Sequence, residues 1–283
     1  MSTPQISLND FLLNQAAINN ERLQMDVRQN WQTELKGERY QQPLRLLRHG
    51  YKVYSQNEED GIIAEILARI GKVPETFVEF GVETGLECNT LRLLMAGWKG
   101  LWMEGSANYV AAIQNNLADK IKSGHLAVAH SFVTTQNINQ LIESAGFKGD
   151  LGLISIDIDG NDIWVWEALS VVSPAVVVIE YNASWAPPLN LAQPNDPAVY
   201  WQGTNYFGSS LEAQTRMGVK KGYQLVGCNF SGSNAFFVRK DLAAGKFHEP
   251  ATALEHHEPP RYWMRHLKAG HRPGVGPTVS VEG

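Results

Sequence analysis

The 283-residue chain reads as an α/β fold: a mostly parallel seven-stranded sheet, helices on both faces, and a terminal antiparallel hairpin. Three observations predict this. Short apolar runs alternate with stretches of helical periodicity, the pattern of successive βαβ units. The segment FVEFGVETG (77–85) is a buried strand running into a glycine-rich turn, and GLWMEGS (100–106) supplies the next strand. After a fifth apolar run the alternation stops, and two late strands are joined by Ser231-Gly232-Ser233, a connector short enough for a hairpin.

Each element has its own local signal. Residues 1–50 are polar and Gln/Asn-rich with scattered leucines, which suggests one or two helices outside a core domain at 51–241, with a further extension at 242–283. The stretch Ser55 to Gly71 begins with a capping serine and acidic first-turn residues. Ile62, Ile63, Ile66, Leu67 and Ile70 recur at helical spacing, and Gly71 can close the helix. Strand one is Thr76 to Phe80, and a helix through Leu91 to Met95 ends at Gly97. Strand two is Gly100 to Glu104, followed by a helix from about Asn108. HLAVAHSF is strand three, NINQLIESAG a helix, and LGLISID strand four, ending at Asp157. A helix carrying Trp164, Trp166 and Leu169 follows, then strand five, AVVVIEY. Residues 183–208 form a Pro/Asn/aromatic connection too long for a plain turn. A helix from Ser209 to about Gly218 leads into the late strands GYQLVGCNF and NAFFVRK.

The first βαβ unit has the ingredients of a nucleoside site. Glycines let backbone approach a ligand, and a carboxylate ending the second strand, here Glu104, can accept hydrogen bonds from both ribose hydroxyls. Gly81 and Gly85 are separated by Val82, Glu83 and Thr84, so the middle glycine of a dinucleotide fingerprint is missing. Glu79, Glu83 and Glu87 surround the turn, and like charge would repel a diphosphate. A cationic, phosphate-free ligand such as S-adenosylmethionine fits better than NAD. The competing reading is a tight βα turn with no ligand.

Ligands of parallel sheets bind beyond the C-terminal ends of the strands. Asp157 ends strand four with Asp159 and Asp162 beyond it, and Glu180 ends strand five with Asn182 following. Asp157, Glu180 and Asn182 could supply hard oxygen ligands to magnesium (Mg2+), which would orient an acceptor and acidify its hydroxyl. Alternatively Asp157 caps the next helix or binds the donor's amino group, and Glu180 is an unassisted general base. IDIDGND is not an EF-hand loop, because Asp162 stands where the sharp turn needs glycine.

Asp159 and the aromatics Trp185, Tyr200, Trp201 and Tyr206 are candidate contacts to a planar or sugar acceptor, with loop packing as the alternative. Five of the eight histidines lie in the last stretch (His248, His256, His257, His266, His271), without zinc-ligand spacing. They belong either to an arm over the site or to a solvated tail. Trp164 and Trp166 read as packing residues, and Cys88 as structural.

A net charge of -5 and a pI near 5.9 argue against nucleic acid and anionic membrane as partners. Only two cysteines occur, which fits a reducing compartment and no disulfide framework. MSTPQISLNDFLLNQ lacks the pattern of a secretory signal, and the longest apolar runs are strand-sized, so the expectation is a soluble, cytoplasmic protein.

The series SQNEEDG, FVEFGVETG, NTLRLL, GWKGLWMEG, ISIDIDGND, VVVIEYN, SLEAQ and KGYQLVGCNFSGSNAFFVR, from about Tyr54 to Lys240, resembles an FkbM-like S-adenosylmethionine-dependent methyltransferase of the Rossmann-like class I fold. IDIDGND departs from that family's usual strand-four pattern of an aspartate followed by an acidic-glycine pair. The resemblance implies that Glu79, Gly81 and Gly85 frame the methionine half of the cofactor. It implies also that Glu104 holds the ribose and that Ser131 and Phe132 lie near adenine. The function expected is methyl transfer to a small polar acceptor, by preference a sugar or secondary-metabolite hydroxyl, with an amine or guanidine as the variant. An NAD-binding oxidoreductase and a non-catalytic Rossmann-like partner protein are the readings from other classes. The N-terminal helices could form a homo-oligomer surface or cover the cofactor.

Overall fold

The computed structural model describes residues 7–198, 201–262 and 271–283. Its seven strands are β1 (Thr76–Phe80), β2 (Lys99–Glu104), β3 (Leu126–His130), β4 (Gly149–Ile156), β5 (Val172–Glu180), β6 (Tyr223–Cys228) and β7 (Asn234–Arg239). They form one sheet in the order β3-β2-β1-β4-β5-β7-β6. β1 to β5 are parallel, and β7 runs antiparallel to both β5 and β6. This is the mostly parallel, Rossmann-like class I plan with a terminal hairpin that the sequence predicts.

The helices are α1 (Leu8–Glu34), α2 (Glu38–Gln41), α3 (Glu59–Ile70), α4 (Leu91–Met95), α5 (Ala107–Asn116), α6 (Ala118–Lys122), α7 (Ile138–Ser144), α8 (Asp162–Ala168), α9 (Leu211–Lys220), α10 (Lys240–Ala243) and α11 (Ala253–His256). Successive strand residues face opposite sides, so the sheet has two cores. Val78, Phe80, Ile154 and Ile156 pack with Ile138 of α7, Trp166 of α8 and Met217 of α9. Phe77, Trp102, Leu153 and Val176 pack with Ile62 and Ile66 of α3, Leu91 of α4 and Ile113 of α5.

One expected start is corrected. α3 begins at Glu59, four residues beyond the predicted cap, and no side chain caps its Glu58 N-cap position. Ser55 instead accepts from the Asp60 N–H at 3.1 Å, while the Asp60 carboxylate accepts from the N–H groups of Val53, Tyr54 and Ser55. The acid, rather than the serine, organises the entry to the helix.

The two extensions meet. Arg39 donates to the carbonyls of Glu255 and His257, and Tyr40 Oη donates to Glu258 at 2.8 Å. Trp31 stacks on Phe230 at 5.9 Å, and the Arg261 guanidinium lies 3.8 Å over the same ring. Most of α1 is exposed, including Leu8, Phe11, Leu12 and Met25. The last residues hold the 183–208 connection: Ala192 and Val279 exchange backbone hydrogen bonds, and Val281 is buried in the core. No helix among the described residues is long and apolar enough to cross a membrane.

Candidate active site

The strand ends of β1, β2, β4 and β5 open onto one cavity of about 670 Å³. Gly81 turns the chain out of β1 with φ +78°, and a Cβ there would sit 1.6 Å from the Asp157 carbonyl oxygen. The β1 turn and the end of β4 can meet only through glycine. Gly85 has φ +72°, and its Cβ would fall 2.5 Å from the Trp102 ring. Gly85 therefore packs on Trp102 and does not line the cavity, contrary to the expected contact with the methionine half.

Glu79 lies at the cavity floor but is already engaged. It accepts from the Asn89 N–H at 2.9 Å, and from the Thr90 N–H at 3.0 Å and hydroxyl. Burial raises its pKa, and these hydrogen bonds oppose the rise. Glu79 thus braces the loop into α4. Cys88 is buried with its thiol pushed up by burial and by Glu79, consistent with an inert residue.

Glu104 ends β2 with both oxygens aimed at backbone. One accepts from the Glu83 N–H at 2.9 Å and the other from the Ser106 N–H at 2.8 Å. Each carboxylate oxygen has a further lone pair, so the group is held rigidly and still has capacity for a diol. Ser131, Phe132 and Tyr109 line the adjoining part of the cavity. Phe132 is 67% exposed there, an apolar ring presented to solvent.

Asp157, Asp159 and Glu180 each present one carboxylate oxygen, all within 4.8 Å of one another. Asp159 adopts φ +57°. The loop that carries it is shaped by Asp162, which accepts from Ile158 N–H at 2.8 Å and Gly160 N–H at 2.9 Å. Burial first, then repulsion from neighbouring acids (Asp159 for Asp157, Asp157 for Glu180), holds the carboxyls of Asp157 and Glu180 well above the usual range, and burial pushes Asp162 up to about 6. Glu180 Oε2 has no hydrogen-bond partner.

Several expected residues are elsewhere. Asn182 is fully buried; its Nδ2 donates to the carbonyls of Asn205 and Phe207, and its Oδ1 accepts from Ser184 N–H. It anchors the long connection, so Asp159 takes its place in the acid group. Trp185 and Tyr206 pack edge to face at 6.0 Å, with Tyr206 Oη bonded to the Pro277 carbonyl, and neither lines the cavity. Trp201 and Asp159 do line it. Tyr200 and His266 lie outside the described residues.

The sequence reading missed one wall of the site. Asn57, Ser231, Ser233 and Asn234 line it. Behind them Glu59 accepts from the side-chain amides of Asn57, Asn229 and Asn234 at 3.2, 2.7 and 3.1 Å. The neighbouring Glu58 is buried, accepts from the Phe230 N–H, and has its pKa pushed up to about 8 by burial and by Glu59. The available signal was the acidic run SQNEEDG beside an Asn-rich hairpin, but acids opening a helix ordinarily face water. Tyr262, Trp201 and Phe207 surround His271 at ring distances of 4.7, 4.9 and 6.0 Å, so this histidine of the C-terminal stretch belongs to the cavity.

No family model matches the chain, and no curated protein matches it significantly. Solved structures of similar shape include an O-methyltransferase from Bacillus cereus in complex with S-adenosylhomocysteine, at 13% identity and a TM-score of 0.42, covering 76% of this chain and 89% of that one. The N-terminal domain of EvdMO1 with S-adenosylhomocysteine bound is 10% identical, with a TM-score of 0.42 and coverage of 77% and 94%. The O-methyltransferase TomG from Streptomyces achromogenes, in complex with S-adenosylmethionine, is 15% identical, with a TM-score of 0.38 and coverage of 61% and 75%. Likenesses this distant carry no functional weight.

Proposed function

We propose that the chain is an S-adenosylmethionine-dependent methyltransferase acting on a small polar acceptor. The observation that carries this is the pairing of Glu104, fixed by two backbone donors, with a cavity lined by seven carboxylates (Glu79, Glu83, Glu87, Glu104, Asp157, Asp159, Glu180) and, among the described residues, no Lys or Arg. A diphosphate would meet only like charge there. A nucleoside bearing a sulfonium and an ammonium would find acceptors.

When bound, the donor supplies an already activated methyl group, so the protein's tasks are positioning and exclusion of water. Glu104 would hold the ribose hydroxyls, and Phe132 with Tyr109 would cover the base. The amides of Gln56, Asn57 and Asn89 are donors suited to the methionine carboxylate. Asp157, Asp159 and Glu180 would face the acceptor. Burial raises the pKa values of Asp157 and Glu180, which makes their ionised forms stronger proton acceptors.

For a hydroxyl acceptor, the same three residues also fit magnesium: three hard oxygens within 4.8 Å, with Glu180 Oε2 lacking a protein partner. Such an ion would lower the pKa of a coordinated hydroxyl. The test is calorimetric titration of the purified protein with S-adenosylhomocysteine and, separately, NAD, each with and without magnesium. Micromolar binding of the first and none of the second is expected. Binding of NAD alone would assign an oxidoreductase, and binding of neither by folded protein would leave a non-catalytic partner protein.

A further inference from the structure

We infer that the methyl acceptor enters this cavity as a primary or secondary ammonium and leaves as its N-methyl derivative, an inference that rests on the methyl-transfer reading. The acid group alone would not distinguish an ammonium from a metal ion. Asn234 adds the second observation. It is 5% exposed, lines the cavity, and its Oδ1 has no hydrogen-bond partner. The amide is not free to flip: its Nδ2 donates to Glu59 Oε1 at 3.1 Å, and a carboxylate that already accepts from two other amides selects the nitrogen. Asn234 is also the register partner of Glu180 across β5 and β7. Paired residues of antiparallel strands project to the same face, so Asn234 and Glu180, each with one buried, unpartnered oxygen, lie on the same face of the sheet.

One of the Ser231 and Ser233 hydroxyls donates to the other at 3.1 Å, and the Asn161 Nδ2 donates to the Asp196 carbonyl at 2.8 Å. What separates an ammonium from a neutral hydroxyl here is charge: seven carboxylates line the cavity and, among the described residues, no Lys or Arg does. In the same cavity the rings of Trp201, Phe207 and Tyr262 gather around His271. Aromatic faces beside carboxylates suit the alkyl substituents of an ammonium and do not ligate a hard metal ion.

The step balances without a further reactant. The bound ammonium releases one proton, which passes to water on the side where Asp159 is exposed. The freed nitrogen lone pair forms a bond to the methyl carbon as the carbon–sulfur bond breaks, its electron pair remaining on sulfur. The positive charge moves from sulfonium to the new N-methylammonium, and S-adenosylhomocysteine is the neutral-sulfur product.

The test titrates protein saturated with S-adenosylhomocysteine with putrescine and with butanediol, its neutral analogue, in chelator and again in magnesium. Wild type, Glu180→Gln and the exposed-site variant Asp159→Asn are compared. The expected result is putrescine binding in chelator, no butanediol binding, and about tenfold weaker putrescine binding in each variant. Three outcomes would overturn the inference while leaving the methyl-donor site intact: equal binding of diol and diamine, diamine binding indifferent to both variants, or magnesium binding that excludes the diamine. Loss of S-adenosylhomocysteine binding itself would instead remove the reading on which the inference stands.

Discussion

Glu104→Gln exchanges one carboxylate oxygen for an NH2 group at almost constant volume, and the structure dictates its consequence. Both oxygens accept backbone N–H groups, from Glu83 at 2.9 Å and from Ser106 at 2.8 Å, in a side chain that is 8% exposed. Whichever way the amide turns, a donor faces a donor. Losing a charge-assisted hydrogen bond and stranding a buried N–H costs about 1.5–3 kcal/mol. At about 2–4 °C per kcal/mol for a chain of this size, the melting temperature should fall by about 3–12 °C. If the carboxylate also holds the ribose, S-adenosylhomocysteine should bind roughly 10–100-fold weaker to the folded variant. Differential scanning fluorimetry gives the first quantity and calorimetry below the melting transition the second. A lowered melting temperature with affinity within about twofold of wild type would refute the ribose assignment and reduce Glu104 to a brace for the turn. Unchanged stability would refute the hydrogen-bond reasoning itself.

Two other perturbations have signs that the structure fixes. Gly85→Ala combines left-handed backbone strain with a Cβ 2.5 Å from Trp102, whereas Gly124→Ala has the same φ of +72° and no atom within 4 Å. Urea unfolding should show a loss of about 2–5 kcal/mol for the first and about 1–2 kcal/mol for the second, and equal losses would show that the Trp102 contact is unimportant. His256 is buried, its Nε2 is unpartnered, and burial lowers its pKa to about 3. The unfolded state therefore binds the extra proton as pH drops below about 6.5. His256 contributes stability that is full above that pH and is lost at up to about 1.4 kcal/mol per unit until pH nears 3. The stability difference between wild type and His256→Gln should move against wild type across that window; a pH-independent difference would contradict a neutral buried imidazole.

The fold was legible because its signals are local. Five apolar runs with turn residues between them set the parallel strands, and Ser231-Gly232-Ser233 set the hairpin; these depend on neighbours a few residues away. Gly81 and Glu104 belong to the same class, since a strand end, a turn and a terminal acid are contiguous features. What only the tertiary structure decided is which polar groups have capacity left for a ligand. Asn182 and Glu180 look equivalent in the sequence, yet Asn182 spends its Nδ2 on the 205–207 segment and its Oδ1 on the Ser184 N–H, while Glu180 keeps a free oxygen. Trp185 and Tyr206 face each other rather than the cavity. Glu58 and Glu59 read as first-turn acids of a helix but lie buried against the Asn229–Asn234 turn, 170 or more residues away along the chain. Hydrogen-bond capacity is consumed pairwise and in space, so periodicity and composition determine where the strands end, and packing determines which side chains at those ends are free to act.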